Sequence, residues 1–386
     1  MKKSILFTIC LFAFNAYLAS AQQRFLKLDS ILRVPMVPLQ LTGDTLDLPL
    51  ENLEPAFVNY NGVYKQRLDS LQQSVPLAYN EFVQKYIDIY TSRKDMMGKM
   101  LGLSSYYFPI FEQALKTLDI PEELKYIPVI ESSMNPLAVS RVGATGMWQF
   151  MFSTARGYGL NINNFVDERK DPVQASLAAA AYFRDAYAEL GDWLLAIAAY
   201  NCGKGNVNRA IAKANSRDFW AIRPFLPLET RNYVPAFIAA VYVMKCAKSH
   251  QIELQQTVLN DVSETLQVRR FVSLHQLAEA LNVEEAVLCS LNPCYKKKIV
   301  NGSEEVPKII VVPKTNFSDF ERVYQLLNES NVEVNALIIP SSDDDKRIKR
   351  RFTAKARVKT NSAKGSSKKY LSYKSNASSQ SNSDKM

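Results

Sequence analysis

The chain has 386 residues, of which 47% are apolar, and carries 47 Lys or Arg against 38 Asp or Glu, a formal charge of +9. That length is ample for one sizeable core and a smaller second module. Its only two histidines, His250 and His275, argue against Ser-His-Asp or Cys-His hydrolases, which need an imidazole base. They argue equally against a catalytic zinc site, which usually needs at least one.

The N-terminus reads MKKSILFTICLFAFNAYLASAQQ. Lys2 and Lys3, an apolar stretch from Ile5 to Leu18 and the small-x-small Ala19-Ser20-Ala21 predict a secretory signal peptide over residues 1–21. Cys10 lies inside the apolar stretch, the wrong context for a lipid-modified Cys, so the mature protein is expected to be exported, periplasmic or wall-associated, and not an anchored lipoprotein. No later stretch has the roughly 18 apolar residues of a spanning helix. Cys202, Cys246, Cys289 and Cys294 remain after cleavage. Export permits disulfides, and four Cys allow three full pairings. A local Cys289–Cys294 bridge and unpaired buried thiols are both compatible with the spacing.

Residues 22–74 read as an extended N-terminal lead-in with several Pro. From Val75 the pattern is helical: Phe82, Tyr86, Ile89 and Tyr90 share one face, and a second helix carries Phe111, Leu115 and Leu118. In DIPEELKYIPVIESS, Asp119 is placed to cap, Pro121 suits the first turn, and Glu122 and Glu123 suit the positive helix end. Pro128 predicts a kink, which leaves Glu131 in the last turn. DPVQASLAAAAYFRDAYAELGD is a helix capped by Asp171, opened by Pro172 and stopped by Gly191. Asp192 caps the next helix, which ends near Gly203, and TRNYVPAFIAAVYVMKC forms another. GKGN at 203–206 lacks the Gly-Lys-Ser/Thr ending of a phosphate loop and reads as a helix-helix turn. With no convincing strand, residues 75–250 form a mainly α domain.

Residues 258–314 change character. TLQVRR and KIIVVP read as strands; between them Ser273 opens a helix with Gln276 set for a capping box, and VEEAVLCSL forms a second. This βααβ pattern is a small separate module. Residues 341–386 hold 13 Lys or Arg and 4 Asp, so this Ser-, Lys- and Asn-rich tail alone carries +9. It reads as disordered. Its partner is expected to be an acidic envelope polymer or lipid surface rather than nucleic acid, unless it serves only solubility.

What chemistry remains is that of carboxylates, with no metal and no cofactor expected. Glu131 is the one acid in YIPVIESSMNPLAVSRVGATGMWQFM. Apolar neighbours and a helix C-terminus would both raise its pKa, the profile of a general acid. Most helix-end Glu residues are simply solvated, so this local pattern alone does not decide the matter.

Longer motifs add to it. ES-x-x-NP from Glu131, AVS-x-x-GA-x-G-x-WQFM ending at Met151, AYN-x-G at Ala199 to Gly203 and ETRNYVP at Glu229 to Pro235 resemble, in order and spacing, the lytic murein transglycosylases of the goose-lysozyme-like superfamily. VQKYIDIYTSR and DERKDP resemble the membrane-bound murein transglycosylase D branch. The resemblance covers about residues 75–248 and implies a lysozyme-like helical domain. It implies that Glu131 protonates the glycosidic oxygen between N-acetylmuramic acid and N-acetylglucosamine. The same carboxylate would then take the proton of the muramyl C6 hydroxyl, giving a 1,6-anhydro product without water. Ser132, Ser140, Gln149, Met151, Tyr200, Asn201 and Tyr233 match positions that contact substrate or flank the acid. Gly143 and Gly146 would let backbone approach the sugar, while Trp148 leans to the core. Asp167, Glu168 and Asp171 read as loop, ion-pair and cap residues rather than a second catalytic acid of the kind an ordinary glycosidase needs. The 258–314 module resembles a LysM domain through LNP at Leu291 to Pro293 and its closing IIVVP, but RRFVS replaces the usual Gly-Asp-Thr-like turn, which puts sugar binding by this copy in question. A hydrolytic muramidase on the same fold and an inactive wall-binding protein are the competing readings.

Overall fold

The computed structural model describes residues 61–257, 259 and 263–328; the expected signal peptide, most of the 22–74 lead-in and the basic tail lie outside them. The lead-in is not extended throughout. Gly62–Leu71 forms helix α1, capped by Asn61, whose side chain accepts from the N–H groups of Val63 and Tyr64. It docks through Arg67, which donates to the Tyr242 hydroxyl at 3.0 Å, and through the Tyr64 ring, 5.3 Å from that of Tyr242. The helical domain therefore begins before Val75.

Helix α2 (Glu81–Ser92) buries Val83, Tyr86, Ile87 and Tyr90, and α3 (Lys94–Lys116) buries Phe111 and Leu115. Asp119 does not cap. It adopts a left-handed conformation after α3, φ 55°, and the following 3-10 turn Glu122–Tyr126 has no side-chain cap. Glu123 turns inward instead and accepts from the N–H groups of Ser74 and Val75. Pro128 does not kink a long helix, because the 3-10 turn hands over to a new helix, α4 (Ile127–Ser132), with Pro128 in its first turn, where its missing N–H is not needed.

After α5 (Phe152–Gly157) come α6 (Pro172–Leu190), α7 (Trp193–Cys202), α8 (Lys204–Ala214) and α9 (Phe219–Ile222). Asp171 and Asp192 cap α6 and α7 as the sequence predicts, and Gly191 ends α6 in the left-handed region. The central element is α10 (Leu228–Lys245), buried almost continuously from Tyr233 to Met244. It packs on α2, α4, α7 and the 3-10 turn, while the Ala run of α6 lies against α3 and α7. A helix apolar on all sides needs neighbours all round. Strands are absent here among the described residues apart from isolated bridges. The chain then crosses α3, and Gly102 permits this: an added Cβ would lie 1.9 Å from the Gln255 carbonyl oxygen.

The second module has its own core of Val268, Leu274, Leu277, Leu288, Ile310 and Val312. Strand β1 (Ser263–Val268) pairs antiparallel with β4 (Lys308–Pro313), Leu266 opposite Ile310. Two short strands not foreseen, β2 (Phe271–Ser273) and β3 (Ile299–Asn301), pair with each other. Between them lie α11 (Leu274–Leu281), with its Ser273–Gln276 capping box, and α12 (Glu285–Leu291). Asn292 of the LNP motif is buried and clips α12 to β4, donating to the carbonyls of Val311 and Leu288 and accepting from Val311 N–H. A further helix, α13 (Phe317–Asn328), packs on α11, so the module extends past residue 314.

Candidate active site

Glu131 sits in the last turn of α4, which closes with a left-handed Ser133. Its side chain keeps a partial opening to solvent, but the carboxyl lies deep among protein groups. Burial pushes its pKa up from 4.5 to about 7, a hydrogen bond from Tyr233 pulls it down, and the charge of Glu229 pushes it up again. Burial leads; the helix is only six residues long, too short for its end to dominate. The Tyr233 hydroxyl, from the first half of α10, donates to Glu131 Oε1 at 2.5 Å. Burial and the Glu131 charge hold both Tyr233 and Tyr200 well above the usual tyrosine range, so both stay protonated donors.

The other predicted residues are mostly bound to protein. Ser132 is 3% exposed and donates to the Met147 carbonyl at 2.9 Å. It ties α4 to the 138–150 loop. Ser140 Oγ accepts from Ala144 N–H at 3.0 Å and so closes a tight turn in that loop. Gln149 has a left-handed backbone, φ 49°, and its Nε2 donates to the Gly146 carbonyl at 2.7 Å. Met151 is 43% exposed at the start of α5. Tyr200 donates to the Trp148 carbonyl at 2.7 Å with its ring stacked on Phe183. Asn201 Nδ2 donates to Glu229 Oε1 at 3.1 Å, and its Oδ1 accepts from Thr230 at 2.7 Å. These bonds join the end of α7 to the start of α10.

Trp148 is fully buried, edge-on to Phe111, and donates to Ser176 Oγ at 2.9 Å, a core residue as expected. Gly146 is required by a close protein contact. Its φ is +86°, and an added Cβ would lie 1.8 Å from the Arg169 carbonyl oxygen. Asp167 caps a 3-10 turn and grips Arg169, Glu168 accepts from Asn161, and Asp171 caps α6. None of the three is tied to Glu131. Burial raises the pKa of Asp167, but Arg169 outweighs it and leaves the group below its ordinary value. All four described cysteines are free thiols. Among the described residues no cluster of metal-ligating side chains occurs, and no helix is long and apolar enough to cross a membrane.

Sequence reasoning passed over Glu229, Thr230 and Arg169. The first two lay inside the quoted ETRNYVP motif, but only the fold shows that they grip Asn201. Arg169 stood in DERKDP with no local signal of its reach to residues 143 and 150.

Glu131 is thus a buried carboxyl with a raised pKa, hydrogen-bonded by a tyrosine, in a mainly helical domain. Residues 108–223 match the Transglycosylase SLT domain, and residues 262–329 the Lytic transglycosylase MltD, LysM-like domain. The chain thus carries an SLT transglycosylase domain followed by an MltD-type LysM-like domain. It is 30% identical over 251 residues to Membrane-bound lytic murein transglycosylase D of Escherichia coli, covering 64% of this chain and 54% of that protein. It is 28% identical over 178 residues to the Soluble lytic murein transglycosylase of Escherichia coli, covering 44% and 23%. The chain spans about half the length of the first of these relatives. Among solved structures, the 70 kDa soluble lytic transglycosylase of Escherichia coli aligns with a TM-score of 0.33 and 25% identity, over 40% of this chain and 26% of that one.

Proposed function

We propose that this chain is a peptidoglycan lytic transglycosylase acting in the cell envelope, where it cleaves the β-1,4 bond between N-acetylmuramic acid and N-acetylglucosamine. Glu131 protonates the departing glycosidic oxygen. Its carboxylate then accepts the proton of the muramyl C6 hydroxyl as that oxygen closes on C1. The bond broken is C1–O4, the bond formed is C1–O6, and no water enters. The observation that carries this reading is the buried Glu131 carboxyl, bonded to Tyr233, with its pKa at about 7, where one group can both give and take a proton at neutral pH. Glu229, whose charge acts on Glu131, is exposed and accepts from Asn201. Gln149, Met151, Asn201, Tyr200 and Tyr233 form or support the sugar-binding surface.

Digestion of purified sacculi followed by mass spectrometry of the muropeptides tests this. Ends lighter than the hydrated form by one water are expected. Reducing ends would mean a hydrolytic muramidase, and protein that pellets with sacculi but releases nothing would mean an inactive binding protein.

A further inference from the structure

Residues 161–168 form a narrow turn closed by an Ile162–Asp167 bridge, and the LysM-like module is fixed to its edge. Asp167 N–H donates to the Cys294 carbonyl at 2.9 Å and Lys296 N–H to the Phe165 carbonyl at 2.8 Å, an antiparallel bridge of Val166 with Tyr295. The Val166 side chain is 3% exposed and belongs to the module's own apolar cluster. Phe165 meets Phe271 edge to face at 5.5 Å, and Lys296 Nζ donates to the Asn163 carbonyl at 3.1 Å. A module that roams on a linker to find sugar has no use for a shared core and a backbone bridge; these fix one position.

The same turn holds up the candidate site. Both Asp167 oxygens bind Arg169, at Nε 2.9 Å and Nη2 2.8 Å. Arg169 Nη1 donates to the carbonyls of Gly143 at 3.1 Å and Phe150 at 3.3 Å, the two ends of the stretch that carries Gln149. Its own carbonyl lies where a Cβ on Gly146 would fall. One side chain thus fixes residues 143–150 at both ends, and the Asp167 that orients it is itself held by Cys294.

We propose that the LysM-like module is an intramolecular buttress. By docking on residues 163–167 it fixes Asp167 and Arg169, and through them the 143–150 loop beside Glu131. The partner of its 269–273 and 294–297 surface is the chain's own catalytic domain. RRFVS departs from the usual turn because Phe271 serves this dock rather than a sugar. Arg169 is a positioning residue. Only the kinetic readout rests on the transglycosylase reading.

The test is hydrogen exchange on the full-length chain. Phe165→Ser with Phe271→Ser is expected to release protection at 163–167 and 294–297, and to speed exchange of 144–150 by about tenfold. Arg169→Gln is expected to loosen 144–150 while the dock stays protected, and to raise KM on sacculi more than it lowers kcat. If the Phe pair leaves the dock closed, Val166→Asp, which sets a charge in the shared core, opens it and is read the same way. A released dock with 144–150 unchanged overturns the proposal. So does protection of 269–273 by an N-acetylglucosamine tetramer in the intact chain. Inactivity with the expected exchange pattern would refute only the enzymatic reading.

Discussion

Glu131→Gln should inactivate the protein and stabilise it, and the stabilisation should depend on pH. The folded Glu131 carboxyl has a pKa of about 7 against an ordinary 4.5. Ionising it in the folded state therefore costs about 3 kcal/mol, which water at the part-exposed side chain screens to about 2 kcal/mol. The sign follows from linkage. Below about pH 4.5 the group is protonated folded and unfolded, and the cost is absent. Between 4.5 and 7 the unfolded chain ionises first, so stability drains away as pH rises; above 7 the loss is complete. Gln has no proton to lose, and its amide oxygen can still accept from Tyr233. For a domain of this size, thermal unfolding of the variant should match wild type near pH 4.5 and exceed it by roughly 4–8 °C at pH 8. Cleavage of sacculi should fall below about a hundredth of wild type. A stability gap independent of pH, or a wild type more stable than the variant at pH 8, would refute the buried-acid reasoning whatever the activity.

Three further outcomes follow from the same geometry. Tyr233→Phe removes the hydrogen bond that favours the ionised acid, so the alkaline limb of the pH–rate profile should move to higher pH; a fixed limb would show that Glu131 does not set it. Gly146→Ala drives a Cβ into the Arg169 carbonyl at a positive φ and should cost about 3 kcal/mol or more in urea unfolding; a loss below about 1 kcal/mol would mean the loop yields. Ser176→Ala strands the buried Trp148 N–H and should cost about 1–3 kcal/mol with KM on sacculi unchanged, and a large KM change would place Trp148 in the groove.

What could be read from the sequence was local. Asp171, Asp192 and the Ser273–Gln276 box announce helix starts because a cap is a contact within four residues, and Gly191 announces a stop for the same reason. Glu131 stood out because its neighbours in sequence also bury it. The failures are equally physical. Asp119 has the right chemistry for a cap, yet the tight exit from α3 puts it in a left-handed turn. Glu123 looked like a residue for a helix end, yet two N–H groups some fifty positions earlier claim it. Gly146 is required by a carbonyl 23 positions away, and nothing near it in the chain says so.

Most motif residues around Glu131 turn out to serve one another. Ser132 holds Met147, Ser140 closes its own turn, Gln149 bonds back to Gly146, Tyr200 holds Trp148, and Asn201 is locked between Glu229 and Thr230. A flat list of such residues reads as a set of substrate contacts; the fold makes it a scaffold with few free polar groups. That fits the proposed chemistry. One acid that must face first a glycosidic oxygen and then a C6 hydroxyl cannot share the work with a partner, so its precision has to come from rigid surroundings. Tyr233 and the 143–150 loop supply that rigidity. The loop is braced through Arg169, and Arg169 through Asp167 by the second module. On this reading, the distance in sequence between Glu131 and Cys294 hides a single continuous support.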